Sequence, residues 1–158
     1  MKEQKYTIYR VVFTIVSVSI VSFIFRNSSM NAFDSTLQST SVLDAILVFF
    51  ENMGMNLLVT ENFVRKCAHF VEFSLLSISL FLMYHSYFLK LKKTVISTLL
   101  TGLTVAGMDE IIQIFSDGRS AQFSDVLLDF SGVVTTALVI SIVYLLYKNK
   151  RGREYKNE

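Results

Sequence analysis

Apolar residues fall into four long blocks along this chain, and nearly all the charge lies between them. Residues 8–25 hold one charge, Arg10; residues 68–89 hold one, Glu72; residues 94–115 hold two, Asp109 and Glu110; residues 126–147 hold one, Asp129. A helix crosses the hydrocarbon core of a bilayer with about 20 mostly apolar residues at ~1.5 Å each. Each block reaches or approaches that length. A soluble bundle would put a polar face on every helix, and these blocks have almost none. The pattern therefore predicts an all-α fold, a four-transmembrane-helix bundle. Composition agrees: of 158 residues, 52% are hydrophobic and 18% charged, against about 25% charged in a soluble domain.

The stretches between the blocks set the expected topology. Lys2, Lys5 and Arg10 lie at the start; Lys90, Lys92 and Lys93 lie between blocks two and three; Lys148, Lys150, Arg151, Arg153 and Lys156 follow block four. The 27–64 stretch carries Asp34, Asp44, Glu51 and Glu61 and only Arg26, Arg65 and Lys66 at its flanks. The positive-inside rule then places both termini and the second loop in the cytoplasm, with the long first loop and the short third turn outside. The first block follows a basic start, as a secretory signal does. The residues after it, FRNSSMN, lack a small-x-small cleavage site, so it reads as an uncleaved signal anchor. Residues 1–150 are expected to form one membrane domain in a bacterial cytoplasmic membrane, with 151–158 as a cytoplasmic tail.

The first loop divides in two. Residues 27–41, rich in Ser, Thr and Asn, read as polar loop. Residues 42–50, VLDAILVFF, are apolar but too short to cross. Continued through residue 58, they form either an amphipathic helix on the membrane surface or a lid on the bundle; the sequence leaves both open.

Charge inside the blocks changes the picture most. A carboxylate at mid-helix costs roughly 2.5–3.5 kcal/mol on insertion scales, so one that stays marks a site or a buried pair. In the expected topology Arg65, Lys66, His69 and Glu72 lie near the outer end of the second span. Asp109, Glu110 and Gln113 end the third, and Asp125 and Asp129 begin the fourth, with Arg119 in the turn between. These ten candidates converge on one outer layer. Lys66, His69 and Glu72 are three residues apart and share a face, as do Asp109 and Gln113, four apart. Ser124 or Asp125 is expected to cap the fourth span. Gly102, Gly107 and Gly132 are expected to be close helix contacts, and Cys67 a packing residue. Arg119 is expected to pair with a carboxylate of the third or fourth span.

The chemistry these residues allow is broad. Three cations suit an anionic headgroup or carboxylate. His69 with Glu72, or Glu110 near the bilayer, suits acid–base work on a lipid-linked headgroup; the second and third spans are expected to bring RKCAH against DEIIQ, with His69 and Glu110 needed for function more than for folding. No Ser or Cys nucleophile stands in a recognisable motif, so whether a reaction is catalysed stays open. The three cations in the layer and the absence of HExxH-type spacing argue against a metal, and no cofactor is implied. A closed ion-pair network that only locks the helices is the structural alternative. Expected partners are a membrane lipid or a lipid-linked envelope component, with self-association left open and nucleic acid excluded. Transport is disfavoured, since no charged relay reaches the inner leaflet.

Three stretches together resemble the VanZ-like family of small bacterial membrane proteins. FIFRNSSMNAFDSTLQSTSV, residues 23–42, is similar to the family's end of helix 1 and the polar loop after it. RKCAHFVEFSLL, residues 65–76, resembles R-K-x-x-H-F-x-E-[YF]. MDEIIQIFSDGRSAQFSDVLLDFSG, residues 108–132, resembles D-E-x-x-Q-x-F, then G-R, then D-x-x-x-N-x-x-G. The chain departs at Ile112, where the family often has His, at Asp117, where Pro is usual, and at Asp129, where Asn is usual. The resemblance implies envelope biology, through the namesake's association with resistance to teicoplanin, and supplies no reaction.

Overall fold

The computed structural model describes residues 2–56, 58–88 and 90–154, with side chains over 6–56, 58–87 and 90–151. Five helices and no strand occur among them: α1 Lys2–Ser28, α2 Ala32–Asn52, α3 Glu61–Phe88, α4 Leu91–Ile114 and α5 Phe123–Glu154. Four helices are long and apolar enough to cross a membrane, over Tyr6–Ser28, Glu61–Tyr87, Leu91–Ile114 and Phe123–Arg151. The chain is a membrane protein with the expected all-α, four-span architecture. Of the 151–158 tail, α5 covers the residues up to Glu154 and the rest lie outside the described residues.

α3 is the central helix and packs on α1, α2, α4 and α5. The enclosed core lies among the four spans: Ile24, Phe73, Leu76, Leu80, Val105, Ala106 and Val133. The outer surface is apolar, with Ile15, Val18, Leu100, Leu138, Ile142 and Val143 all turned outward. That distribution is what lipid as solvent requires. Hydroxyls inside the spans bond back to carbonyls one turn earlier, as Thr14 does to Arg10 and Ser141 to Ala137. Close approach occurs at two of the three glycines. A Cβ on Gly102 would lie 2.6 Å from Val133 Cγ1, and one on Gly132 would lie 2.7 Å from the Phe70 carbonyl. A Cβ on Gly107 would meet no other element within 4 Å, and Cys67 is exposed rather than packed, so both expectations are corrected.

The first loop differs most from its reading. Residues 27–41 are not a polar loop: α1 runs to Ser28 and α2 starts at Ala32. Asn31 caps α2 by accepting from the Asp34 amide at 2.8 Å. The Ser and Thr run stays helical because its hydroxyls fold onto the helix itself. Ser39 donates to the Ser35 carbonyl, Thr40 to Thr36 and Ser41 to Leu37. Nor does the helix continue to residue 58. Gly54 at φ +75° donates to the Glu51 carbonyl and Met55 to that of Phe50, a Schellman closure. α2 packs on α3 while leaving Phe33, Leu37, Val48 and Phe49 exposed.

Candidate functional site

Five helix ends meet where α4 turns into α5, and the turn itself joins them. Gly118, at φ +75°, lets the chain reverse, and Arg119 then donates its amide to the Ser116 carbonyl. The turn is clipped to the corner between α1 and α2. Ser116 Oγ donates to the Ser28 carbonyl at 2.8 Å, and the Ala32 amide donates to the Asp117 carbonyl at 2.9 Å. α5 begins at Phe123, one residue before Ser124, so Ser124 is not its cap; its hydroxyl lies 3.4 Å from Asp125 Oδ1. Asp125 sits in the first turn, at the positive end of the helix dipole.

Arg119 does not pair with a carboxylate. Its Nη1 donates to the carbonyls of Ser28 at 3.2 Å and Asn27 at 3.5 Å, and its Nη2 to Ser35 Oγ at 3.3 Å. These carbonyls end α1, where they lack intrahelical donors and carry the negative end of its dipole. They take the place an acid was expected to fill. Burial, and then Arg65, lower the Arg119 pKa from the usual guanidinium value, while Asp109, Glu110 and Asp125 raise it.

The other two cations also leave the deepest acids alone. Lys66 Nζ lies 3.7 Å from Asp125 Oδ1, both partly exposed. Arg65 reaches Asn62 Oδ1 at 3.2 Å and Glu61 at 4.0 Å. Asp109, wholly enclosed, accepts from Ser28 Oγ and, at 2.9 Å, from Gln113 Nε2. Glu72 accepts from Asn27 Nδ2 at 2.9 Å, and its Oε2 has no hydrogen-bond partner. Glu110 accepts the Gln122 amide through Oε1, and its Oε2 is likewise unpartnered. Asp129 Oδ1 and His69 Nδ1, both buried, stand 3.7 Å apart without a hydrogen bond.

RKCAH does meet DEIIQ, through His69 beside Asp109, and His69 also faces Asp129. Donor atoms of these three residues all lie within 4.8 Å of one another. Glu110 instead holds the start of α5 through Gln122. Two clefts flank the cluster and share Arg65, His69 and Arg119. One, of 130 Å³, runs to Lys66, Asp125 and Asp129. The other, of 140 Å³, runs to Asn27, Ser35 and Glu72. It adjoins an apolar groove of 290 Å³ between α1 and α3, which shares Phe23 and Glu72 with it. All ten expected residues lie at this end of the bundle. Asn27, Ser28, Ser35, Ser116 and Gln122 belong to it too and were not anticipated.

A four-span helical membrane protein with an acidic cluster under a basic rim is the class these features define. The VanZ/LLP1 family model matches residues 13–144, and the chain belongs to that family. No curated protein and no solved structure matches it.

Proposed function

We propose that this site binds the anionic headgroup of a membrane lipid or lipid-linked envelope component, with an acyl chain in the groove between α1 and α3. The observation that carries the reading is the continuity of the two spaces. An apolar groove lined by Ile15, Val16, Ile20 and Leu75 opens at Phe23 and Glu72 into a cleft edged by Arg65 and Arg119. An amphiphile has that division of character, and guanidinium groups suit phosphate and carboxylate by their forked geometry. The lysine and arginine distribution supports an outer-leaflet site in a bacterial cytoplasmic membrane, both termini cytoplasmic. α2, with Phe33 and Phe49 outward, then lies along the interface above the site. The biological role in this reading is envelope integrity and resistance to envelope-directed antibiotics such as glycopeptides.

A purely structural ion-pair scaffold fits less well, because Arg65, Lys66 and Arg119 make no direct pair with Asp109 or Asp129. A second reading, an enzyme acting on the same headgroup, is favoured by His69 beside two carboxylates at the cleft wall. Native mass spectrometry of the detergent-solubilised protein tests the binding. Phosphatidylglycerol is expected to be retained at least tenfold over phosphatidylcholine, and Arg65→Gln with Arg119→Gln to abolish the preference. Equal retention of both lipids, unchanged in the double variant, would contradict the reading; headgroup release during incubation would favour the enzyme.

A further inference from the structure

The cluster of His69, Asp109 and Asp129 is built from three helices and sits below the clefts. Asp109 is wholly enclosed and the Asp129 side chain is 2% exposed. Two carboxylates this close repel each other unless something positive or a proton lies between them. No arginine or lysine pairs directly with either: Arg119 bonds α1 carbonyls and Ser35, Lys66 faces Asp125, and Arg65 faces Asn62 and Glu61. Asp129 Oδ1 and His69 Nδ1 remain buried without hydrogen-bond partners, facing each other. An unmade bond to a buried acceptor costs about 1–3 kcal/mol, more when it is charged.

We propose that His69, Asp109 and Asp129 bind a divalent transition-metal ion of the zinc or manganese kind. Neutral imidazole and two carboxylates offer one nitrogen and two oxygens with a net charge that a divalent ion cancels. Zinc–ligand bonds of about 2.0–2.1 Å in a tetrahedron set donors roughly 3.3 Å apart. His69 Nδ1 and Asp129 Oδ1 stand at 3.7 Å, and no pair of the set exceeds 4.8 Å. On binding, the set draws together by up to about 1.5 Å. Asp109 is already held by donors, Ser28 Oγ and Gln113 Nε2, as ligating carboxylates are. A nitrogen in the set disfavours Mg²⁺ and Ca²⁺, which take oxygen shells. His69 and Asp129 also line the cleft, so the ion's free coordination positions face it. If the headgroup reading holds, an anionic oxygen completes the shell there; metal binding itself does not depend on that reading.

The test uses full-length protein without a polyhistidine tag, purified in detergent and stripped with chelator. Zn²⁺, Mn²⁺ and Mg²⁺ are titrated separately without added lipid, and bound metal is measured by mass spectrometry after desalting. One equivalent of Zn²⁺ or Mn²⁺ is expected, at least 100-fold tighter than Mg²⁺. His69→Gln and Asp129→Asn should weaken it at least 100-fold, while His85→Gln and Cys67→Ser retain it. Gel filtration reports whether each variant is folded. If a variant is not, stoichiometric metal and a raised melting temperature in the parent protein decide. No bound metal in the parent protein, preference for Mg²⁺, or folded His69→Gln and Asp129→Asn proteins that bind like the parent would overturn the proposal and leave the headgroup reading standing.

Discussion

Both ends of the bundle bury polar side chains, and they satisfy them in different ways. At the end away from the α4–α5 turn, Arg10 donates to the Ser86 carbonyl at 3.1 Å and lies over the Tyr87 ring. Ser17 bonds Ser79, Tyr84 bonds Thr101, and His85 packs between Phe81 and Tyr144. Among the described residues, the unpartnered atoms there, His85 Nδ1 and Thr98 Oγ1, belong to groups that can stay neutral. At the α4–α5 end an arginine again closes a helix C-terminus, but beneath it lie carboxylates with unfilled acceptors. Apart from Arg10, the end away from that turn shows what helix association in lipid needs: neutral hydrogen bonds of modest strength. The other carries charge that helix association does not need, beside open clefts. That contrast separates a site from packing.

The strongest way to break the comparison is functional. In a deletion strain with reduced survival under glycopeptide or other envelope stress, His69→Gln and Asp129→Asn are expected to fail to restore survival, although both accumulate normally by immunoblot. His85→Gln, at the other end, should restore it fully. Full rescue by all three would erase the distinction. A smaller effect separates the two arginines. Arg119 serves three acceptors, and losing charged hydrogen bonds costs about 1.5–3 kcal/mol. Arg10 serves one carbonyl, so Arg10→Ala should lower thermal stability in detergent less than Arg119→Ala does. The reverse order would show that the α1–α2 corner is not held as described. The smallest effect is expected at Ser17→Ala, about 0.6 kcal/mol for one hydroxyl bond between helices, with function intact. A loss of function there would place a site where only packing is assigned.

The four spans were legible because lipid imposes a length and excludes charge, so each apolar block declares itself. The acidic layer was legible for the same reason: Asp109, Glu110 and Asp129 stand out only against a membrane. Neutral partners gave no such signal. Asn27, Ser28, Ser35 and Gln122 are ordinary in sequence, and their roles come from the contacts of α1, α2 and α4 with the turn. The acids nearest Arg119 in sequence point to a carboxylate partner, whereas the Ser28 carbonyl that it bonds lies 91 residues away. The first half of α2 is hidden in the sequence because Ser and Thr favour loops when their hydroxyls compete with the backbone; here they bond it one turn back. Asn31 followed by Asp34 was the overlooked signal, a helix-start pair three residues apart.

The central claim is that the carboxylates at the α4–α5 end are kept for a ligand, at a cost to the fold. Asp129→Asn tests it directly, because the amide keeps the shape of the side chain and removes its charge. Melting temperature is measured on chelator-treated protein in detergent, alongside rescue of the deletion strain. The account predicts a higher melting temperature than the parent protein and lost rescue, since a buried carboxylate oxygen without a partner is destabilising. A lower melting temperature with full rescue would contradict it and make Asp129 a structural residue.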